Sequence, residues 1–177
     1  MARILIVFST IDGHTLTICE RLQQMLQAQG HEVNLTSFEN ENEVPLVLEQ
    51  FDKIILGASI RYGKHRPNVG AFIQRNRQVL DSRPTAFFSV NAVARKATRN
   101  TPETNPYLKR FLEQIAWQPR VAAVFGGKID YPRYNAFDRN IIRLIMWITK
   151  GPTDPKSVVE FTDWEQVQSF GQRVSDL

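Results

Sequence analysis

The segment that most constrains this chain is residues 9–15, Ser-Thr-Ile-Asp-Gly-His-Thr, because of what stands on either side of it. An unbroken apolar run, Ile4-Leu5-Ile6-Val7-Phe8, precedes it, and a helical pattern begins near Thr15. A strand, a short hydroxyl-rich loop with one glycine and a helix start form a cradle for an anion. Successive backbone N–H groups and the positive end of the helix dipole converge there. Ser9, Thr10 and Thr15 add hydroxyl donors, and Gly13 lets the backbone come close; Ile11, Asp12 and His14 complete the loop. The Gly-Lys-Ser/Thr ending of a Walker loop is absent, as are the spaced glycines of a dinucleotide fingerprint. The remaining ligand is the phosphomonoester of a mononucleotide. The alternative for the same residues is an ordinary strand-to-helix turn with Asp12-Gly13 supplying the bend.

Downstream, apolar runs alternate with helical periodicity. Residues 2–8 read as a strand buried on both faces, since the run is continuous. Ile18, Leu22, Met25 and Leu26 mark a helix over 15–29 that Gly30 is placed to end. Further strands are expected at 32–38 (an edge), 53–58, 86–90 and 121–125. Helices are expected at 68–80, after Asn105-Pro106, and from a capping box at Thr162–Glu165 to the C-terminus. Residues 39–50 are polar with a weak helical turn. Five strands alternating with helices predict an α/β fold, a doubly wound five-stranded parallel sheet. A mononucleotide loop after the first strand favours the flavodoxin-like order 2-1-3-4-5, with ligand beyond the carboxyl ends of the strands. The chain, 177 residues long, is expected to form one domain, 1–177, with an insertion at about 128–156 after or within the fifth strand.

Two further loops therefore border any ligand. Ser59, Ile60, Arg61, Tyr62, Gly63 and Lys64 follow the third strand, where backbone amides can meet a ring and Tyr62 can stack on it. Ser89, Val90, Asn91, Ala92 and Val93 close the other side. The charge pattern is uneven. The chain is +4 overall, yet residues 61–66, 91–100 and 128–150 each carry a net +3, leaving −5 on the rest. The third basic segment contains a helical run over 139–150, apolar round most of its circumference, with Trp147 and cations at 139, 143 and 150. Its twelve residues span about 18 Å, too short for a bilayer. Two placements stay open for it: packing on the domain, or lying at a membrane surface. The sole cysteine, Cys19, excludes an internal disulfide and reads as a small core residue. No signal peptide is expected from Met-Ala-Arg followed by a strand. No histidine, cysteine or carboxylate cluster suggests a metal site, and no nucleic-acid partner is expected.

The sequence closely resembles one family, the flavodoxin-like, menaquinone-dependent protoporphyrinogen IX dehydrogenases of bacterial haem synthesis. The resemblance rests on Phe8-Ser9-Thr10 with Asp12-Gly13 and Thr15, and on Gly57–Gly63. It rests also on Ser89-Val90-Asn91 with Val93–Lys96, on Tyr131-Pro132-Arg133-Tyr134, and on Phe161–Val167. It implies FMN as cofactor, held by residues 9–15, 59–63 and 89–93. It implies removal of six electrons from protoporphyrinogen IX, with menaquinone or ubiquinone as acceptor. It further implies peripheral attachment to the cytoplasmic face of a bacterial inner membrane, through anionic lipid at insert 128–150. A macrocycle with two carboxylates suits a basic, aromatic rim, for which Arg61, Arg95, Lys96, Arg133 and Tyr134 are the expected residues. The alternatives on the same fold are a soluble flavodoxin-type electron carrier and an NAD(P)H:quinone oxidoreductase. Carriers are usually acidic around the flavin, whereas here the basic segments occupy that edge.

Overall fold

A computed structural model describes residues 1–39 and 47–177. Most of the expected polar stretch at 39–50 lies outside the described residues; its end, Leu48–Gln50, is a 3-10 turn. Five parallel strands form the sheet: β1 (Arg3–Ser9), β2 (Glu32–Ser37), β3 (Lys53–Arg61), β5 (Thr85–Asn91) and β6 (Val121–Gly126). Their order is β2-β1-β3-β5-β6, which is 2-1-3-4-5 when the parallel strands are counted along the chain. Register pairs Ile6 with Ile55 and Leu56 with Phe87.

The pleat explains the unbroken apolar runs. Ile4, Ile6 and Phe8 of β1 point to one face, where they meet Ile18, Leu22 and Leu26 of α1 (His14–Ala28) and Phe170 of α6 (Trp164–Ser175). Leu5 and Val7 point to the other, against Phe72 and Ile73 of α2 (Pro67–Arg75) and Leu108 of α4 (Pro106–Ile115). A strand covered on both sides has no polar face to alternate with.

Four local features differ from the periodicity reading. The helix expected over 68–80 is divided into α2 and α3 (Arg77–Ser82) at Asn76, whose amide side chain donates to the Phe72 carbonyl at 2.9 Å. That side-chain bond competes with the helical ladder. The last helix is capped by Asp163, which accepts from the N–H groups of Glu165 and Gln166, not by Thr162. The loop after β3 is a hairpin: β4 (Lys64–His65) runs antiparallel to the end of β3. Finally, the insertion is bounded by a second, two-stranded sheet of β7 (Lys128–Asp130) and β8 (Val158–Glu160). Between them lies α5 (Ala136–Ile148), capped by Asn135. The insert has its own small core of Ile129, Tyr131, Tyr134 and Met146, packed with Ala92 and Phe161.

Candidate functional site

The 9–15 loop closes on itself with backbone to spare. Gly13 sits at φ 87°, and its N–H donates to Thr10 Oγ1 at 3.0 Å. An L side chain rarely adopts that φ, so glycine here keeps the first turn of α1 open to a ligand. The hydroxyls of Ser9, Thr15 and Ser59 are buried without a hydrogen-bond partner. Buried hydroxyls are normally satisfied. Three orphans at the ends of β1 and β3 and in the first turn of α1 mark the place of an acceptor-rich group. A phosphomonoester fits that donor set.

The His14 ring is engaged by Thr162. Thr162 Oγ1 donates to the Gly126 carbonyl at 2.8 Å and lies 2.5 Å from His14 Nε2. With the hydroxyl proton committed, Nε2 must be the donor, which fixes the neutral tautomer. Burial lowers the His14 pKa below the ordinary value, with Glu160 opposing and Lys128 adding to that shift. His14 therefore ties α1 to the start of α6.

The hairpin after β3 is held at its tip by Tyr62 and Gly63, at φ 53° and 79°. Two consecutive positive φ angles make the two-residue turn whose twist matches antiparallel strands. Opposite, Asn91 organises the turn after β5. Its Oδ1 accepts from Ala94 N–H at 3.0 Å and from Asn105 Nδ2 at 3.2 Å. These loops enclose a cavity of about 730 Å³. Its lining includes Asp12, His14, Thr15, Ser59, Ile60, Arg61, Tyr62, Gly63, Val90, Asn91, Ala92, Val93 and Tyr134 from the expected residues. Ser9 and Ser89 are buried and, like Thr10, Ile11 and Gly13, are not part of the lining. Nor do Arg95, Lys96 and Arg133 line it.

Lys64, the last residue of the expected 59–64 loop, lines the cavity too; sequence reasoning missed Tyr107 and Arg110, then Gly127, Lys128 and Ile129, and the inner face of α5, Ile141, Ile142, Ile145 and Met146. The apolar periodicity of α5 was visible in sequence; that it roofs a cavity was not.

Two arginines expected at a substrate rim are engaged by the protein. Arg61 pairs with Asp12 at 2.7 Å and Asp138 at 3.3 Å, and lies over the Tyr134 ring. Burial alone would lower its pKa, but the two carboxylates raise it. The Tyr62 hydroxyl donates to the same Asp138. Arg61 thus clamps the phosphate-loop side to the first turn of α5. Arg95 donates to the carbonyls of Ala92 (2.7 Å) and Thr149 (2.8 Å) and stands over the Phe161 ring. Lys96 is partly exposed and Arg133 exposed.

Beside the cavity, His65 packs against the rings of Phe87 and Phe111, which stack on each other, with Nε2 3.0 Å from Ser89 Oγ. Burial pushes its pKa down from 6.5 to about 4. The stability this confers is complete above pH 6.5 and is lost as pH falls toward 4, because the unfolded chain takes up a proton that the fold refuses. Unfolding free energy should fall by about 2 kcal/mol between pH 7 and pH 5 from this group. Urea titrations of wild type and His65→Gln test it; equal acid limbs for the two proteins would contradict the assignment.

A flavodoxin-domain family profile matches residues 5–156. The chain is 40% identical over 173 residues to the protoporphyrinogen IX dehydrogenase [quinone] of Escherichia coli K12, covering 98% of this chain and 94% of that protein. The Leishmania major protein of the same name is also 40% identical over 173 residues, covering 98% of this chain and 74% of its own length. Among solved structures, a flavodoxin from the domain Archaea superposes with a TM-score of 0.51 at 12% identity, over 98% of this chain and 96% of that one. At that identity the likeness concerns the fold alone.

Proposed function

We propose that this chain, which belongs to the flavodoxin-domain family of quinone-linked protoporphyrinogen IX dehydrogenases, oxidises protoporphyrinogen IX to protoporphyrin IX with menaquinone or ubiquinone as acceptor. Ser9, Thr15, Ser59 and the N–H groups at the start of α1 hold the FMN phosphate, and the 59–63 hairpin and the 90–93 turn flank the ring. Bound there, FMN supplies reversible two-electron redox chemistry. Removing six electrons and six protons from the macrocycle consumes three quinones and yields three quinols, so the site must turn over three times per porphyrin. The residues do the rest of the work. Asn91 and Asn105 fix the turn beside the ring, Arg61 holds the insert against the phosphate-loop side, and the isoleucines of α5 exclude water.

One observation carries this reading. Two of the orphaned hydroxyls, those of Thr15 and Ser59, line a cavity with an apolar roof, large enough for an apolar reactant beside a flavin. A soluble carrier needs an exposed flavin edge and an acidic docking face. Here Lys64, Arg110 and Lys128 line the cavity instead. The test is a steady-state assay of the FMN-loaded protein with protoporphyrinogen IX and a menaquinone analogue, run beside NADPH. Quinone-dependent porphyrin formation is the expected result. Turnover with NADPH alone would overturn the proposal in favour of a nicotinamide-linked reductase.

The same reading assigns the insert a membrane-facing role, at the cytoplasmic face of a bacterial inner membrane. Phe137, Leu144, Trp147 and Ile148 of α5 are 55–72% exposed on its outer side. No helix among the described residues is long and apolar enough to cross a membrane, which leaves an interfacial placement for α5. A lipid-dissolved quinone would then reach the cavity along α5. Replacing these four residues with glutamine should weaken co-sedimentation with phosphatidylglycerol vesicles at least about tenfold, from lost apolar burial. FMN content should not change. Vesicle binding that survives the four substitutions would remove the membrane role.

A further inference from the structure

The cations lining the cavity are not equivalent. Arg61 is neutralised by Asp12 and Asp138. Lys128 lies toward the phosphate loop, where it acts on His14, and faces Glu160 across the β7–β8 ladder. Lys64 and Arg110 are more open: both are exposed where Lys128 is half-buried, and neither side chain has an ion pair or hydrogen bond among the described residues. They come from elements remote in sequence, the β4 hairpin and α4, and the fold brings them to one place.

That place is a junction. A side recess of about 250 Å³ shares Gly63, Lys64, Tyr107 and Arg110 with the main cavity. Tyr107 packs closely over the hairpin tip: a side chain at Gly63 would come within 3.3 Å of its ring. Tyr107 and Arg110 stand three residues apart on α4, on the same side of the helix. Asn105 fixes the start of that helix by accepting from Tyr107 and Leu108 N–H at 3.2 Å. The result is two cations without side-chain partners and one phenol, held by a capped helix and a tight hairpin, beside a cavity that α5 lines with apolar side chains.

We propose that Lys64 and Arg110 receive the two carboxylates of the porphyrinogen, with the macrocycle lying against the α5 isoleucines. This rests on the function proposed above and adds its specificity determinant. A carboxylate in the cavity would strip little water from these exposed cations and gains a charge-assisted bond from each. Arg61 and Arg95 could do so only by giving up partners they already hold. Arg110 can meet a carboxylate with two parallel N–H groups; Lys64 offers a point charge on a flexible stem. The arrangement selects diacid macrocycles over neutral ones of the same shape.

The test uses FMN-loaded protein and two ligands, protoporphyrin IX and its dimethyl ester, with binding followed by fluorescence titration. Kinetics with the corresponding porphyrinogens accompany it. In Lys64→Ala/Arg110→Ala, Kd for the diacid should rise up to about a hundredfold, roughly tenfold for each charge-assisted bond lost. Kd for the diester should stay within about twofold. KM should follow Kd while kcat holds, since these groups act on binding rather than on the reacting bonds. Lys64→Arg/Arg110→Lys should restore most of the diacid affinity, a rescue that a merely structural role does not produce. A diacid affinity unchanged in the alanine variant, or a wild type that binds diester as tightly as diacid, overturns the assignment. Failure of the wild type to oxidise protoporphyrinogen IX at all strikes instead at the function on which it rests.

Discussion

Replacing Ser9 and Thr15 together with alanine should weaken FMN binding by about 3–6 kcal/mol, from two hydrogen bonds to a charged phosphate at about 1.5–3 kcal/mol each. The same change should leave the apoprotein as stable as wild type, or more so. The two effects have opposite sign because both hydroxyls are buried without partners in the chain itself. An unsatisfied buried hydroxyl costs the fold about 1–3 kcal/mol in lost hydration, and alanine removes that cost. A phosphate that accepts from both repays it only in the complex. Titrating apoprotein with FMN and with riboflavin separates the phosphate from the ring. The variant should lose affinity for FMN and keep its affinity for riboflavin, while its thermal midpoint without flavin does not fall. Equal FMN affinity in variant and wild type would move the phosphate elsewhere. A large drop in apoprotein stability would mean that the hydroxyls serve the fold instead.

That site was legible because its parts are contiguous. Ile4–Phe8, residues 9–15 and the helix from His14 follow one another in the chain, so apolar run, hydroxyls and helix start could be read as one device. The sheet was legible for a related reason: β1, β3, β5 and β6 are largely buried on both faces and declare themselves as apolar runs, while the edge strand β2 alternates. What periodicity cannot read is which charge meets which. Arg61 and Arg95 look alike in sequence as loop cations. Their partners lie 49 positions away for Asp12 and 54 for Thr149, and those partners turn one into a clamp and the other into a strut. Lys64 stands in the basic segment 61–66, but Arg110 carries no local mark, and only the packing of β4 against α4 joins the two. Thr162 and Asp163 are both good capping residues, and the choice fell to tertiary demand. The Thr162 hydroxyl is taken by Gly126 and His14, which leaves the cap to Asp163. The hairpin at Tyr62-Gly63 escaped notice because a tyrosine at positive φ is uncommon and carries no turn signature.

The distinction between clamp, strut and receptor makes Arg95 decisive. Arg95→Met keeps an unbranched apolar stem and removes the guanidinium, with its contact over the Phe161 ring. In the wild type that group spans the Ala92 carbonyl, next to the cavity, and both the carbonyl and hydroxyl of Thr149, at the end of α5. Burial lowers the arginine pKa, with Tyr131 opposing, as for a group held in the body of the protein rather than waiting in solvent. Removing it leaves two carbonyls without their charged donor, at about 1–3 kcal/mol each, so unfolding free energy should fall by about 2–6 kcal/mol in total. The loss should concentrate in the insert, because the 92–95 turn and α5 are the elements it joins. Limited trypsin digestion should therefore cut sooner at Arg139, Arg143 or Lys150 than in wild type, at equal FMN saturation. The diacid-over-diester preference of the remaining folded enzyme should be unchanged. The opposite pattern, intact stability with a selective rise in KM for the diacid, would make Arg95 a carboxylate receptor and require it to leave Thr149 when substrate arrives.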